Sequence, residues 1–286
     1  LDDDFADYST LANYVLNDER RYVVIEGNNV DVLRQLPDNC LDSIVTDPPY
    51  GLGEEPDMVE VLKAWLQDEI YKAKGVGFMN RSWDAFIPGP HVWRECLRVL
   101  KPGAHLLSFA GTKTMGLMDV SIRLAGFERR DTIGCNGVLQ WIQSQGFPKG
   151  SSIGKAIDKM FGYEREIVGR KVLGDGSISR ATQNMGNNVF NDAVSRETNL
   201  YETAPASDEA HTYEGWNTNL KPAFEPILVF RKPLEGTVAK NVIKYGTGGI
   251  NIDACRVTVA QSDDIFAKNP HTEGGFGHGN AEVYGD

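Results

Sequence analysis

The run Asp47-Pro48-Pro49-Tyr50 has the clearest chemical signature in the sequence. Proline has no backbone N–H and a fixed φ angle, so two consecutive prolines leave carbonyl oxygens as exposed acceptors beside the Asp47 carboxylate. Tyr50 adds a flat aromatic face. Acceptors next to an aromatic ring are suited to bind a flat molecule that carries an amine.

The exocyclic amine of a nucleobase is a poor nucleophile because its lone pair is delocalised into the ring. Two acceptors that hold both amine hydrogens, the Asp47 side chain and the Pro48 carbonyl, would draw the nitrogen towards a tetrahedral, reactive form. A nucleobase inside a duplex must first be flipped out, at a cost of roughly a few kcal/mol. Stacking of the flipped base on Tyr50, worth about 1–3 kcal/mol, would offset part of this cost. The alternative is a rigid turn, since Asp, Pro and Gly are ordinary turn residues.

The elements before this run place it at the edge of a sheet. Residues 22–26 are a β-rich run, residues 30–36 have helical character, and residues 41–45 are an apolar strand that leads into Asp47. Ligand sites in open α/β sheets lie at the carboxyl ends of strands. The strand 41–45 is therefore expected to deliver Asp47 to a binding edge.

The rest of the hydrophobic pattern alternates between helices and strands. We expect helices over 57–74, 92–100 and 114–124, and strands over 104–109, 128–142 and 225–231. This alternation predicts an α/β fold with a Rossmann-like, mostly parallel sheet and helices on both faces.

Residues 151–220 differ from the chain on either side. They are rich in Gly, Ser, Asn and Thr, and they begin with a helical segment at 153–161. We interpret them as an insertion or accessory lobe, which divides the chain at 1–150, 151–220 and 221–286.

The run Thr46-Asp47-Pro48-Pro49-Tyr50-Gly51, after Leu41-Asp42-Ser43-Ile44-Val45, resembles the catalytic signature of bacterial and phage DNA amino-methyltransferases that use S-adenosylmethionine. The similarity extends over most of the chain, from about Tyr22 to Val257. Further segments that agree are Gly27-Asn28-Asn29 with 30–36, Arg98-Val99-Leu100-Lys101-Pro102-Gly103 with 104–107, Gly146-Phe147-Pro148-Lys149, Lys155-Ala156-Ile157-Asp158-Lys159, 220–226 and 245–253.

The resemblance implies a site-specific enzyme that moves a methyl group from S-adenosylmethionine to the exocyclic amine of adenine in double-stranded DNA. Its catalytic residues would be Asp47, Pro48, Pro49 and Tyr50, and residues 151–220 would recognise the target sequence. Cytosine-N4 methylation is the nearest alternative, and Asp rather than Ser at position 47 favours adenine by resemblance. A catalytically incomplete remnant that only binds DNA is the alternative of a different class.

The cofactor contacts implied by the resemblance are Asn28, Asn29 and Asp47. The family commonly has Asp at position 28, and Asn keeps a carbonyl acceptor for an amine. The family's glycine-rich loop, typically Asp-Pro-Phe followed by Gly-Ser-Gly, is not found in the sequence, and we expect the chain to stop before it. The run Phe109-Ala110-Gly111-Thr112 looks similar to such a loop, but we interpret it as part of a sheet strand.

Two further groups of residues are candidates for substrate contacts. Trp141 would form a wall of the base pocket together with Tyr50, although core packing is the commoner role of a strand tryptophan. The candidates for DNA contacts belong to the basic segment 149–171, which also fits a solvated helix face. They are Lys149, Lys155, Lys159, Arg170 and Lys171.

Composition limits these interpretations. The formal net charge of −11 argues against strong sequence-independent attraction to a polyanion. The four cysteines have neither disulfide nor zinc spacing, and the five histidines have no ligand spacing, so we expect no metal. These cysteines are Cys40, Cys96, Cys135 and Cys255.

The two ends of the sequence bear on whether the chain is a fragment and on its cellular location. The sequence begins at Leu1 with an acidic run and ends in a glycine-rich stretch, which suggests a fragment at both ends. It has no apolar run long enough to span a bilayer and no basic, signal-like start. We expect a cytoplasmic protein of a bacterium or a phage, inside or outside a restriction system, and a homodimer is compatible with the sequence.

Overall fold

The structure is a computed structural model of the 286-residue chain. It describes residues 22–51, 55–75, 84–132, 134, 137–144, 146, 150–170 and 201–256. The helices in these ranges are α1 (Asn29–Arg34), α2 (Met58–Leu66), α3 (Pro90–Val99), α4 (Met115–Leu124), α5 (Ile153–Phe161), α6 (Asp208–Thr212) and α7 (Val238–Tyr245). The strands are β1 (Leu41–Thr46), β2 (Leu100–Phe109), β3 (Glu128–Arg129), β4 (Leu139–Ile142), β5 (Ile167–Arg170), β6 (Tyr201–Thr203) and β7 (Phe224–Arg231).

Five of these strands form one mixed sheet in which β7 is the most connected strand. β1 runs parallel to β2, whereas β7 runs antiparallel to β2 on one side and to β3 and β4 on the other. The predicted α/β fold is confirmed. The described part of the sheet is not mostly parallel, because hydrophobic periodicity identifies a buried strand without fixing its direction.

Two predicted strands differ in the structure. Residues 22–26 form no strand, and Tyr22 and Val24 are 79% and 84% exposed. A β-rich run becomes a strand only when a neighbour accepts its backbone hydrogen bonds, and no strand in the described ranges pairs with this one. The predicted strand region 128–142 divides into β3 and β4, which both pair with β7.

The core lies on one face of the sheet. β2 contributes Ala104 and Leu106 to this face, and β7 contributes Leu228 and Phe230, all of them almost completely buried. Helices α2, α3 and α4 cover these residues with large side chains. The covering side chains include Val61, Trp65, Trp93, Met118 and Ile122.

The opposite face is open at the end of the sheet that carries Asp47. Val45 alternates with the core-facing Ile44 along β1 and is 66% exposed, and Trp141 on β4 is 59% exposed. We call this side the open face.

We call the segment that the sequence predicts to be an insertion the lobe, and its two ends lie side by side. The backbone N–H of Ile153 donates to the carbonyl oxygen of Trp216 at 2.9 Å, and that of Thr218 donates to the carbonyl oxygen of Ser151 at 3.0 Å. Within this lobe, of which residues 150–170 and 201–219 are described, α5 packs against α6 and β5 pairs with β6.

A buried carboxylate joins the two halves of the lobe. Asp158 on α5 is 1% exposed and accepts hydrogen bonds from the backbone N–H of Ala206 at 3.1 Å and from the backbone N–H and hydroxyl of Ser207 at 3.0 and 2.7 Å. Arg165 Nε lies 2.8 Å from its Oδ2. Burial raises the pKa of Asp158, but the bonds from Ser207 and Ala206 and the Arg165 charge outweigh burial and lower it below 3.8.

We therefore expect Asp158→Ala to lower the melting temperature more than Asp158→Asn, which keeps one acceptor oxygen. Because the folded pKa is lowered, the stabilisation by Asp158 is present above its unfolded pKa and is lost as pH falls through the folded pKa. The difference in melting temperature between the wild type and Asp158→Asn should thus shrink below pH 3.8. Glu164→Gln, at an exposed site of the same lobe, is the control. Equal melting temperatures for Asp158→Ala and Glu164→Gln would contradict this role.

Candidate functional site

Asp47 lies at the carboxyl end of β1, as predicted, and its side chain is exposed. Thr46, the last residue of β1, pairs with Ser108 of β2. Asp47 therefore leaves the sheet beside Phe109, the last residue of β2. A carboxylate in this position is accessible to a ligand at the sheet edge.

The loop formed by residues 47–51 is held from both sides. Asp84 is 6% exposed, and its Oδ1 accepts hydrogen bonds from the backbone N–H groups of Tyr50 and Gly51 at 3.2 and 3.3 Å. The Thr114 hydroxyl donates to the Tyr50 carbonyl oxygen at 2.7 Å. The loop is thus fixed by a buried acceptor on one side and a hydroxyl donor on the other.

Two glycines make room for this conformation. Gly51 has a φ of +65°, and a Cβ atom there would lie 3.2 Å from the backbone nitrogen of Ile87. A Cβ atom at Gly111 would lie 3.4 Å from Tyr50 Cβ and 3.1 Å from Thr114 Oγ1. The segment 109–112 was interpreted as sheet strand, but β2 ends at Phe109 and the chain then turns into α4. This turn provides the space beside Tyr50.

The Tyr50 hydroxyl is buried and has no hydrogen-bond partner of acceptable geometry among the described residues. A buried polar atom without a partner costs about 1–3 kcal/mol. Burial raises the pKa of Tyr50, and the nearby carboxylates of Asp47 and Glu225 raise it further. A tyrosine hydroxyl is already protonated at neutral pH with its ordinary pKa of about 10, so this group is available as a donor.

Strand register brings Trp141 and Glu225 to the open face. Trp141 on β4 pairs with Glu225 on β7, and Phe109 pairs with Ile227, two residues further along β7. Side chains at alternate positions and at paired positions share a face. The rings of Phe109 and Trp141 are 6.3 Å apart at 61°. Trp141 is 59% exposed, so the core-packing alternative for this residue is wrong.

Sequence reasoning missed Glu225 and its partner Gln143. The Gln143 Nε2 donates to Glu225 Oε1 at 3.0 Å. The sequence feature that could have identified Glu225 is a carboxylate near the start of the apolar strand β7. Its neighbours across the sheet were not identifiable, because the antiparallel register of β4 on β7 is a tertiary feature.

Asn28 and Asn29, predicted to contact a cofactor, lie at the start of α1 and are exposed. The Asn28 Oδ1 accepts a hydrogen bond from the backbone N–H of Val30 at 3.0 Å and so caps the helix. An amide carbonyl oxygen has two lone pairs, so this cap leaves one acceptor position free for an amine.

The predicted DNA contacts are only partly within the described residues, since Lys149 and Lys171 lie outside them. Lys155 and Lys159 are four residues apart and share a side of α5, where Lys159 is exposed. The guanidinium carbon of Arg170 at the end of β5 lies 5.9 Å from the centroid of the Tyr201 ring. All three belong to the lobe.

The described residues of the lobe are acidic in sum. They contain four Lys and Arg and seven Asp and Glu, a balance of −3. Arg165, one of the four cations, is buried against Asp158 and Glu214. Any basic surface in the described part of the lobe must therefore be local.

A comparison of the sequence with family profiles gives a match to a DNA methylase family over residues 41–251. The matched range is well over half of the chain and includes the 47–51 loop, the lobe and β7. The chain belongs to this DNA methylase family.

Two curated proteins similar to this chain are type II methyltransferases. The type II methyltransferase M.HpaI of Haemophilus parainfluenzae is 28% identical over 127 residues, which are 44% of this chain and 33% of the relative. The type II methyltransferase M.BamHI of Bacillus amyloliquefaciens is 31% identical over 84 residues, 29% of this chain and 16% of the relative. The chain thus matches about a third or less of the length of these relatives.

A solved structure is also similar to this chain. It is a candidate DNA modification methylase from Thermus thermophilus, solved in complex with S-adenosyl-L-methionine. The TM-score is 0.33 at 16% sequence identity, and the match covers 76% of this chain and 59% of the other.

Two further features of the described residues concern metal ions and membrane-spanning helices. They contain no group of three or more His, Cys, Asp or Glu side chains arranged to hold a metal ion. None of their helices is both long and apolar enough to cross a membrane.

The role of Asp84 in holding the loop can be measured through stability. Asp84→Ala would leave the N–H groups of Tyr50 and Gly51 without their acceptor, so we expect the free energy of unfolding to fall by about 1–3 kcal/mol. Asp84→Asn keeps an acceptor oxygen and should lose less. The measurement is urea denaturation of each variant.

Asp57 offers a matched control for this experiment. Its Oδ1 also accepts two backbone N–H groups, those of Val59 and Glu60, but it caps α2 and not the 47–51 loop. Asp57→Ala should cost about 1 kcal/mol, as is usual for a lost helix cap. A smaller loss for Asp84→Ala than for Asp57→Ala would refute the role of Asp84 as an anchor.

Proposed function

We propose that this methylase transfers a methyl group from S-adenosylmethionine to the exocyclic amine of adenine in double-stranded DNA. The observation that carries the proposal is the exposed Asp47 at the end of β1, followed by two prolines and a Tyr50 that is fixed by Asp84 and Thr114. Adenine is favoured over cytosine by the resemblance of Asp47-Pro48-Pro49-Tyr50 to adenine-specific enzymes.

In this proposal Asp47 and Pro48 activate the amine. The Asp47 carboxylate and the Pro48 carbonyl oxygen each accept one of its hydrogens, which draws the nitrogen lone pair out of conjugation with the ring. Pro49 contributes by fixing the backbone that presents the Pro48 carbonyl. Positioning of the amine for attack supplies much of the rate acceleration in such a site.

Tyr50 and Trp141 hold the flipped base in this proposal. The Tyr50 ring offers a stacking surface, and the backbone of Tyr50 is held by Asp84 on one side and by Thr114 on the other. Trp141 lies on the same open face and leaves more than half of its surface exposed. Stacking of a base on aromatic side chains is worth about 1–3 kcal/mol per base and offsets part of the cost of flipping.

The cofactor supplies the reactive methyl group, which is bound to a positively charged sulfur. Asn28, Asn29 and Asp47 are the proposed contacts to it. The free acceptor position on Asn28 Oδ1 fits an amine donor, and the exposed Asp47 carboxylate fits a cationic neighbour. Their role is to orient the cofactor next to the amine.

The lobe is the proposed target-recognition region, with 1–150 and 221–286 as the two parts of the catalytic domain. Lys149, Lys155, Lys159, Arg170 and Lys171 are the proposed phosphate contacts. Because the described lobe carries a balance of −3, DNA affinity would depend on a few locally placed cations and on base contacts.

The proposed reaction is tested by transfer of labelled methyl groups from S-adenosylmethionine to defined DNA duplexes. Digestion of the product to nucleosides should show N6-methyladenine and no N4-methylcytosine. Asp47→Ala should lower the rate about a hundredfold or more, since it removes an acceptor aligned with the reacting amine.

Asp42 provides the control for Asp47. It lies on the same strand, is exposed, and its Oδ1 accepts a hydrogen bond from Lys101 at 2.6 Å, at the opposite end of β1. Asp42→Ala should therefore keep the wild-type rate. Undiminished transfer by Asp47→Ala would refute the catalytic role, and DNA binding without transfer by the wild type would favour a remnant that only binds DNA.

The proposed phosphate contacts are tested by charge reversal. Lys159→Glu should weaken binding to all duplexes by a similar factor and reduce the slope of log affinity against log salt by about 1. Fluorescence anisotropy at several salt concentrations measures both quantities. Lys63→Glu, on the exposed side of α2, is the control and should change neither. An unchanged salt slope for Lys159→Glu would assign this residue to a solvated helix face.

A further inference from the structure

Glu225 is a carboxylate that the proposed reaction leaves without a role. It is half-buried near the start of β7, on the open face, where it pairs across the sheet with Trp141. Gln143 Nε2 donates to its Oε1 at 3.0 Å. This bond holds the carboxylate in place and leaves its other oxygen, Oε2, for another donor.

The Tyr50 hydroxyl is a donor close enough to Glu225 for this carboxylate to raise its pKa, after burial and Asp47. It is buried and has no hydrogen-bond partner among the described residues. The backbone N–H of Ala110 donates to the Pro226 carbonyl oxygen at 3.0 Å, and Gly111 lies against Tyr50. These contacts bring the start of β7 next to the 47–51 loop.

Asp47 is the other carboxylate near the hydroxyl, and its environment is different. It is exposed at the sheet edge, where a ligand can reach it, and the proposed reaction needs its oxygens for the amine. Glu225 is less exposed and is oriented by Gln143. The two carboxylates are therefore suited to different tasks.

We propose that Glu225 is a positioning residue whose carboxylate, held by Gln143, accepts the hydrogen of the Tyr50 hydroxyl and fixes the ring on which the target base stacks. This assignment leaves Asp47 free for the amine. It deepens the proposed function and rests on it for its catalytic consequence, whereas the contact between Glu225 and Tyr50 is independent of catalysis.

The contact is tested by fluorine NMR of the protein labelled with 3-fluorotyrosine. The chain has ten tyrosines, and the Tyr50 resonance is the one that is lost in Tyr50→Phe. We expect Glu225→Gln to move this resonance. Glu128→Gln is the matched control, because Glu128 pairs with Arg231 at the opposite end of β7. A Tyr50 resonance that moves in Asp47→Asn and stays in place in Glu225→Gln would overturn the proposal.

The catalytic consequence is tested by a double-mutant cycle. Glu225→Ala and Tyr50→Phe should each lower kcat about tenfold through misplacement of the ring, with little change in KM for DNA. The double variant should be no slower than either single variant, because both remove one interaction. Glu225→Gln keeps an acceptor oxygen and should recover most of the rate, and melting temperatures identify any variant that has lost its fold.

The results of these experiments distinguish a failure of the Glu225 proposal from a failure of the proposed methyl transfer. Losses that add up in the double variant, or no recovery in Glu225→Gln, would overturn the positioning role. A wild-type protein that transfers no methyl group would contradict the proposed function, and the fluorine NMR experiment would still decide whether Glu225 holds Tyr50.

Discussion

The antiparallel pairing of β7 with β2 is the constraint on which the candidate site depends. Because β1 and β2 run in the same direction and β7 runs against them, the first residues of β7 lie at the carboxyl ends of β1 and β2. Glu225 therefore lies at the edge where Asp47 leaves the sheet. A parallel β7 would have placed its last residues there, and Glu225 would lie at the far end.

The same edge combines a rigid loop with an accessible surface. The buried Asp84 carboxylate and the Thr114 hydroxyl hold the backbone of Tyr50, while the core beneath the sheet is closed by α2, α3 and α4. On the open face, Trp141 is 59% exposed and its ring packs edge-on against the ring of the half-buried Phe109. Fixed polar groups beside accessible aromatic rings are the combination that binding of a flat, amine-bearing ring requires.

The environment raises the pKa of Tyr50 at the sheet edge and lowers the pKa of Asp158 in the lobe. At the sheet edge, burial and two nearby carboxylates raise the pKa of the Tyr50 hydroxyl, which stays a hydrogen-bond donor. In the lobe, Asp158 is ionised more readily because it accepts three hydrogen bonds and faces Arg165. The first arrangement leaves a polar group that is available for an interaction, whereas the second satisfies its polar groups and joins α5 to the segment before α6.

The sequence by itself determined the α/β class, helices α3, α4 and α5 with bounds within about two residues, and the position of Asp47 at the end of a strand. These features depend on local periodicity, capping and proline chemistry, which adjacent residues carry. The sequence did not determine the direction of β7, the failure of residues 22–26 to pair, or the exposure of Trp141. Only the tertiary structure decided these features, because strand direction and register depend on partners that are distant along the chain. The same register brings Glu225 next to Gln143 and to the loop that carries Tyr50.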